Sequence, residues 1–469
     1  MSDELDDRLI PLLLDVRRAT RRGAEAIAER QRRRLAQIVS HARTHSPYFR
    51  ELYEDLPQTV EQPIALPATD KKMLMARFDE WATDRDVTLD RAQTFASNPD
   101  LIGERFLGKY TLATTSGTTG TPGIFVTDDG AMRVTSAIML RMLRSWLGVG
   151  DLARIVAGGR RLAMVADTGH HSATSVAAAR LLRSPSRRQR TQLLSVRTPV
   201  QQLVMQLNDF QPALLAPYAS MARLLASEQE SGRLRIRPVL MALAAEGLPI
   251  REYDRIASTF QTKVGNSYAA TECPFLSYGC EQKWLHVHAD WAILEPVDAS
   301  HRPVRPGIQS HTVLITNLAN RVQPILRYDL GDSVIERPDP CPCGNPLPAI
   351  RVQGRSADVL TFRTDQGEPI AIAPLAFEID HIPGLQLFQI IQTSPTNLRI
   401  RLLPTAGAVA DRIWLEAQGE IVRLLAEHRL GHVTVERAAE PPQQGTGGKF
   451  RTVIPFSPAP ARDREEHQT

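Results

Sequence analysis

Thr114–Gly123 reads TTSGTTGTPG and follows the segment KYTLAT (109–114), which has the make-up of a short strand. Four hydroxyl side chains (Thr115, Ser116, Thr118, Thr119) alternate with Gly117 and Gly120. Glycines let a backbone turn tightly, and successive amide N–H groups with hydroxyls can wrap a polyphosphate. Taken alone, the same composition also makes a linker. Its meaning therefore depends on what the rest of the chain supplies.

The chain has 469 residues, and 56 Lys+Arg against 52 Asp+Glu leave a formal net charge of +4. That field is too weak over such a length for a dedicated nucleic-acid binder, so no nucleic-acid partner is expected. The 42% hydrophobic and 23% charged residues are those of a globular protein, excluding collagen-like, coiled-coil and wholly disordered chains. No apolar run reaches the ~18 residues of a membrane span, and MSDELDDRLI is acidic where a signal peptide would be basic. The expectation is a cytoplasmic protein with reduced cysteines, not attached to a membrane.

Apolar residues at helical spacing (Ile27, Leu35, Ile38, Val39, Ala42) predict a helix over 24–53 with Arg32–Arg34 on its outer face. Further on, strand-like RLAMVA (161–166) and PALLAPY (212–218) alternate with helix-like 172–182 and 198–209, which predicts α/β layering. Short strands resume at 311–318 and 333–336. Composition shifts after Gly354, and 359–440 reads as short strands around a helix near 412–427, ending in HVTVER. The predicted architecture is a large N-terminal α/β domain with several β-sheets (1–354), a small mobile C-terminal α+β domain (355–457) and a loose tail (458–469). The basic loop RSPSRRQR (183–190) is read as solvated, with anion contact as the alternative.

Gly103-x4-Gly108-Lys109-Tyr110 nearly fits GxxxxGK[ST], but Tyr110 cannot replace the small hydroxyl that holds Mg²⁺. TSGTTGTPG instead resembles the phosphate-binding loop of the adenylate-forming superfamily, the acyl-CoA synthetases and related ligases. Further matches follow in order. Ala245-Glu246-Gly247-Leu248 resembles the Gly-Glu-x-Leu segment of the adenine pocket, and Asn266-Ser267-Tyr268-Ala269-Ala270-Thr271-Glu272 resembles Asn-x-Tyr-Gly-x-Thr-Glu. Arg327–Asp332 resembles Tyr-x-x-Gly-Asp, Gly354–Asp358 resembles Gly-Arg-x-Asp-Asp, and Gly448-Lys449-Phe450-Arg451 resembles Gly-Lys-x-x-Arg. The opening helix, LPATDKKML (66–74) and the CxCG-x3-P of Cys341–Pro348 are similar to the phenylacetate–CoA ligase-like branch.

The resemblance implies ATP-dependent adenylation of a small, aryl or similar carboxylic acid, followed by transfer to the thiol of CoA or of a carrier protein. It implies nucleotide contacts from Thr115, Ser116, Gly117, Thr118, Thr119, Gly120, Glu246, Asn266, Ser267, Tyr268, Asp332 and Arg355. Glu272 would hold Mg²⁺, Thr271 would contact the α-phosphate, Tyr268 would stack on adenine, and Asp332 would accept from the ribose hydroxyls. Lys449 would reach both the attacking carboxylate and the α-phosphate. Two departures stand out: Ala357 at the hinge aspartate and Ala269 at a family glycine. They keep one alternative open, condensation of a non-standard acid such as nitrous acid with an amine acceptor; a non-catalytic nucleotide-binding protein on the same fold is the second alternative. Either a monomer or a homodimer is compatible with the resemblance.

Cys280-x5-His286 and Cys341-x-Cys343 offer three thiolates and an imidazole, a complete tetrahedral set for structural zinc, with His288 as the alternative fourth ligand. Cys273 is expected to line the substrate pocket beside Ala269. His170 and His171 lie in a loop after a predicted strand, where α/β sheets bind ligands, and are candidates for the acid or acceptor pocket.

Overall fold

The computed structural model describes residues 9–115, 123–166, 168, 170–243, 247–248, 250–355, 358–372, 374–377, 379, 382–443 and 450–456. The described residues form two compact units, 9–353 and 354–443 with 450–456.

The first unit is built on a nine-stranded sheet. Its parallel strands are β3 (Leu162–Ala166), β4 (Thr191–Ser195), β5 (Leu214–Pro217), β6 (Leu240–Leu243) and β7 (Lys263–Tyr268). Helices Ala173–Arg183, Val200–Phe210, Ala219–Glu230 and Ile250–Phe260 connect them, the alternation expected of buried parallel strands joined by crossovers. From β7 the sheet continues antiparallel through β8 (Ser277–Gly279) and β9 (Leu285–Val287) to β14 (Ala349–Arg355), with β13 (Asp332–Glu336) at the edge. A three-stranded sheet of β10 (Ala292–Val297), β11 (Thr312–Asn317) and β12 (Tyr328–Asp329) and a hairpin of β1 (Thr111–Thr114) and β2 (Ile124–Thr127) complete the unit.

The first helix, Leu9–His45, is longer than the pattern predicts and bends at Gly23, whose φ of 83° suits glycine alone. Ile27, Leu35, Ile38, Val39 and Ala42 are all buried along it. It stops before Pro47, and Ser46 caps the next helix, Pro47–Leu52. Arg34 departs from the expected outer face. It is buried, its guanidinium lies 3.4 Å from the Trp291 ring centroid, and it donates to Asp15 and to the Asp290 carbonyl. Charge alone placed it outside; the ring and two acceptors make its burial tolerable.

The second unit has a four-stranded sheet in the order β19 (Thr434–Arg437), β18 (Asn397–Pro404), β17 (Leu385–Ser394), β20 (Val453–Ile454), and a hairpin of β15 (Leu360–Arg363) and β16 (Pro369–Ile372). Helix Ala410–Glu427 buries Ile413, Ala417, Ile421 and Leu425, one residue per turn.

Loop 183–190, partly a short helix at Pro185–Arg188, leads into the N-terminal end of β4. Ligand-binding loops of a parallel sheet lie at the opposite, C-terminal strand ends. At the centre of the sheet, a methyl built on Gly265 would lie 2.4 Å from Cε3 of Trp146, whose indole N–H donates to the Gly279 carbonyl. Gly265→Ala should therefore lower the unfolding free energy by about 1–3 kcal/mol. Gly419→Ala, in a helix where an added methyl meets no other described side chain or neighbouring segment within 4 Å, should be neutral or stabilising by about 0.5–1 kcal/mol. Chemical denaturation of both variants checks the pair.

Candidate functional site

β1 and β2 pair directly, Thr114 opposite Ile124, and the hydroxyl–glycine segment joins them. Its root is tied twice: the Thr115 N–H donates to the Gly123 carbonyl (2.9 Å), and the Gly123 N–H donates to Thr115 Oγ1 (2.8 Å). The Thr114 N–H donates to the carbonyl of His171 (2.7 Å), and the His171 ring, through Nε2, donates to the Asn98 carbonyl (2.9 Å). His171 is thus buried as an anchor between the C-terminal side of β3 and the loop root, while His170 is exposed. Ser116, Gly117, Thr118, Thr119 and Gly120 lie outside the described residues, as do Glu246, Ala357 and Lys449.

β7 ends at Tyr268, and the following turn carries Ala269, exposed, and Thr271, half-buried. The Tyr268 hydroxyl donates to Asp332 Oδ2 at 2.6 Å, joining the end of β7 to the start of β13. Glu272 is buried, and the Tyr328 hydroxyl donates to its Oε1 at 3.0 Å. Its carbonyl accepts from the Asn317 amide at 3.1 Å. Burial, with the Asp332 charge adding to it, pushes the Glu272 carboxyl above the ordinary carboxylate range, against the pull of Tyr328 and Lys71. Asp329 sets up this corner by accepting from the Gly331 N–H (2.9 Å) and the Thr312 hydroxyl (2.5 Å).

Two residues without an assigned role join the site. Tyr328 holds Glu272 and sets its ring edge-on to Phe125 of β2, 6.4 Å between centroids. Lys71 follows Thr69, whose N–H donates to the Arg327 carbonyl (2.9 Å) and whose carbonyl accepts from the Asp329 N–H (2.7 Å). That docking brings Lys71 Cδ to 3.2 Å from a methyl built on Gly123, so a cation flanks both the loop end and Glu272. The signal was the LPAT turn before it, but only the pairing with β12 reveals its address. Thr115, Gly123, Lys71, Tyr328, Glu272, Asp332 and Tyr268 therefore form one continuous chain of neighbours.

Other expected residues have separate surroundings. The Asn266 amide donates to the Tyr253 hydroxyl at 2.8 Å, and Ser267 lies in β7 opposite Tyr278. Arg355 is exposed at the end of β14, and in the second unit Arg451 pairs with Asp358. Cys273 is buried, with its thiol pushed up to about 12 by burial and by Glu272, which makes it a poor nucleophile.

Cys280, His286, Cys341 and Cys343 present four donor atoms all within 4.8 Å of one another. Cys280 and Cys341 Sγ are 3.7 Å apart, and His286 Nε2 is 3.2 Å from Cys343 Sγ. His286 donates through Nδ1 to the Leu347 carbonyl at 2.8 Å, which leaves Nε2 as the ligating nitrogen. Tetrahedral Zn–S bonds of about 2.3 Å would separate two sulfurs by about 3.8 Å, so the donor set fits zinc. His288 does not belong to this set: it lies beyond the end of β9, where its Nδ1 accepts from Arg141 at 3.1 and 2.5 Å. Strand alternation would have aimed both histidines one way, but β9 stops at Val287.

No protein-family model matches the sequence, and no curated protein matches it. Solved structures do match. A 2-hydroxyisobutyryl-CoA ligase in a postadenylation state, bound to an acyl-AMP, superposes with a TM-score of 0.67 at 21% identity over 92% of this chain and 89% of that one. The same enzyme in an open conformation with its acyl-AMP and CoA gives 0.58 at 20%, over 86% and 90%. A benzoate CoA ligase from Burkholderia xenovorans LB400 gives 0.50 at 13%, over 70% and 66%. The chain thus has the mixed α/β fold of adenylate-forming CoA ligases, including a small C-terminal domain.

The Glu272 carboxyl has a raised pKa, so its contribution to stability is greatest below the ordinary glutamate range and is lost as pH rises through the elevated value. In EDTA, Glu272→Gln should therefore gain on the wild type as pH rises above the ordinary glutamate range, measured by urea denaturation. A constant difference would contradict the buried, uncompensated carboxylate.

Proposed function

We propose that this protein is an ATP-dependent ligase that adenylates a small carboxylic acid and passes the acyl group to a thiol, of CoA or of a carrier protein. The observation that carries the reading is the pair of phenol–carboxylate bonds, Tyr268–Asp332 and Tyr328–Glu272, beside the root of the hydroxyl–glycine loop. A nucleotide seated there has a ring for its base at Tyr268, an oriented carboxylate for its ribose at Asp332 and a hydroxyl–amide loop for its phosphates.

Glu272 suits Mg²⁺: a buried carboxylate held above its ordinary range despite Lys71 would bind a divalent cation that also takes phosphate oxygens, and that cation would offset phosphate charge. Tyr328 holds this carboxylate in place, and Lys71 adds positive charge at the loop end. In the first half-reaction a carboxylate oxygen of the acid attacks the α-phosphorus, and the bond to the bridging β-oxygen breaks to release pyrophosphate. Thr271 and Arg355 donate to the phosphates, and Lys449 draws the carboxylate and the α-phosphate together. In the second, a thiol attacks the acyl carbonyl, its proton is lost, and AMP leaves.

Lys449→Ala should reduce acid-dependent ATP–pyrophosphate exchange about a hundredfold or more while leaving ATP affinity nearly unchanged. Unchanged exchange would remove the role of Lys449; no exchange by the wild type with any acid, with ATP still bound, would favour a non-catalytic nucleotide binder; exchange that ignores every carboxylate but responds to nitrite or an amine would favour the other acid class.

The Cys280–His286–Cys341–Cys343 set is read as a structural zinc site. It clamps the turn after β8 and the loop before β14, which pairs with β9 through Ala349 and His286. Cys341→Ser should lose about one zinc per chain and lower the unfolding free energy by several kcal/mol. Full stability with no metal by mass spectrometry would remove the site.

A further inference from the structure

Behind the Thr271–Phe275 turn lies a cavity of about 20 Å³, lined among others by Thr135, Cys273, Phe275, His288, Trp291 and Asn317. A void of that size accepts one oxygen atom. Two of the lining residues carry buried N–H groups with no acceptor among the described residues. His288 is fully buried, and its Nδ1 takes two donors from Arg141. A guanidinium only donates, so Nδ1 is the acceptor and the ring hydrogen sits on Nε2. Asp290 holds Arg141 in that pose through two bonds, at 3.1 and 2.7 Å. Among the described residues, His288 Nε2 has no hydrogen-bond partner, and neither does Nε1 of Trp291, which is 2% exposed.

Thr135 and Asn317, also of the wall, are engaged. Thr135 donates to the Ala131 carbonyl, and the Asn317 amide donates to Glu272 while its carbonyl accepts from Ala319 and Asn320. Two unmatched buried donors over a void for one oxygen are costly unless an acceptor enters. The lining residues Cys273 and Phe275 directly follow Thr271 and Glu272, so the cavity backs onto the turn where the acid's carboxylate would react.

We propose that His288 and Trp291 are specificity-determining residues that donate to an oxygen substituent on the acid, making the substrate a hydroxy- or oxo-substituted carboxylic acid. This rests on the ligase reading above. A hydroxyl is nearly isosteric with a methyl, so paired acids isolate the hydrogen bonds from size.

The test is ATP–pyrophosphate exchange of the full-length protein with three pairs: 4-hydroxy- and 4-methylbenzoate, 3-hydroxy- and 3-methylbenzoate, lactate and isobutyrate. The wild type should favour the hydroxy member of at least one pair by about ten- to hundredfold in kcat/KM. Trp291→Phe keeps a ring for Arg34 and removes one donor, and His288→Phe removes the other; each should cut that preference at least about fivefold. His288→Gln, which can accept from Arg141 and still donate to the cavity, should retain it. Equal use of both members of every pair by the wild type, or a preference that survives in both phenylalanine variants, would overturn the proposal and leave a resident water as the occupant. Exchange with the methyl acids in that case would show that the ligase reading stands without it. Absence of exchange with every acid would overturn both.

Discussion

Two carboxylates, Glu272 and Asp332, are each held by a tyrosine hydroxyl, near enough for the Asp332 charge to act on Glu272, and much of the first unit is arranged around them. Burial, with the Asp332 charge adding to it, raises the cost of ionising Glu272, so this carboxylate is electrostatically expensive without a cation. Such strain accumulates where a charge is to be received. Around it the chain supplies positive and neutral donors: Lys71, the loop root at Thr115 and Gly123, and the backbone turn after β7. The parallel strands bring the turn after β7 to the C-terminal side of the sheet, and β12 and β13 bring Tyr328 and Asp332 to meet it.

The sheet explains why these groups are precisely held. Gly265 lets the Trp146 ring lie flat against β7, and Trp146 in turn ties helix Asp129–Trp146 to the Gly279 carbonyl. Thr69 pairs with the chain on both sides of Tyr328, so a segment over 250 residues away in sequence fixes the strand that orients Glu272. The Cys/His cluster gathers four donor atoms at the other end of β8, where a three-residue strand has few hydrogen bonds of its own.

Much of this was legible in the residue order. The alternation of RLAMVA, PALLAPY and intervening helices matched the parallel sheet, because buried strands and their crossover helices leave different apolar periods. Tyr268, Glu272 and Asp332 could be named from motif order, but not their mutual bonds, which depend on the meeting of β7 with β12 and β13. Arg34 was misplaced because its neutralising groups, Asp15, Asp290 and Trp291, are scattered over the chain. His288 falls outside the metal cluster because β9 stops one residue before it, so two-residue alternation does not carry that far. The two unpaired N–H groups over the cavity leave no trace in composition or spacing; they emerge only from counting donors against acceptors.

The central claim is that one nucleotide gathers these groups. Its most direct test is a crystal structure with ATP and Mg²⁺. The account predicts the adenine against Tyr268, the ribose hydroxyls on Asp332, the phosphates on the Thr115–Gly123 segment and the metal on Glu272. Density for the nucleotide anywhere else, with Glu272 and Asp332 untouched, would contradict it.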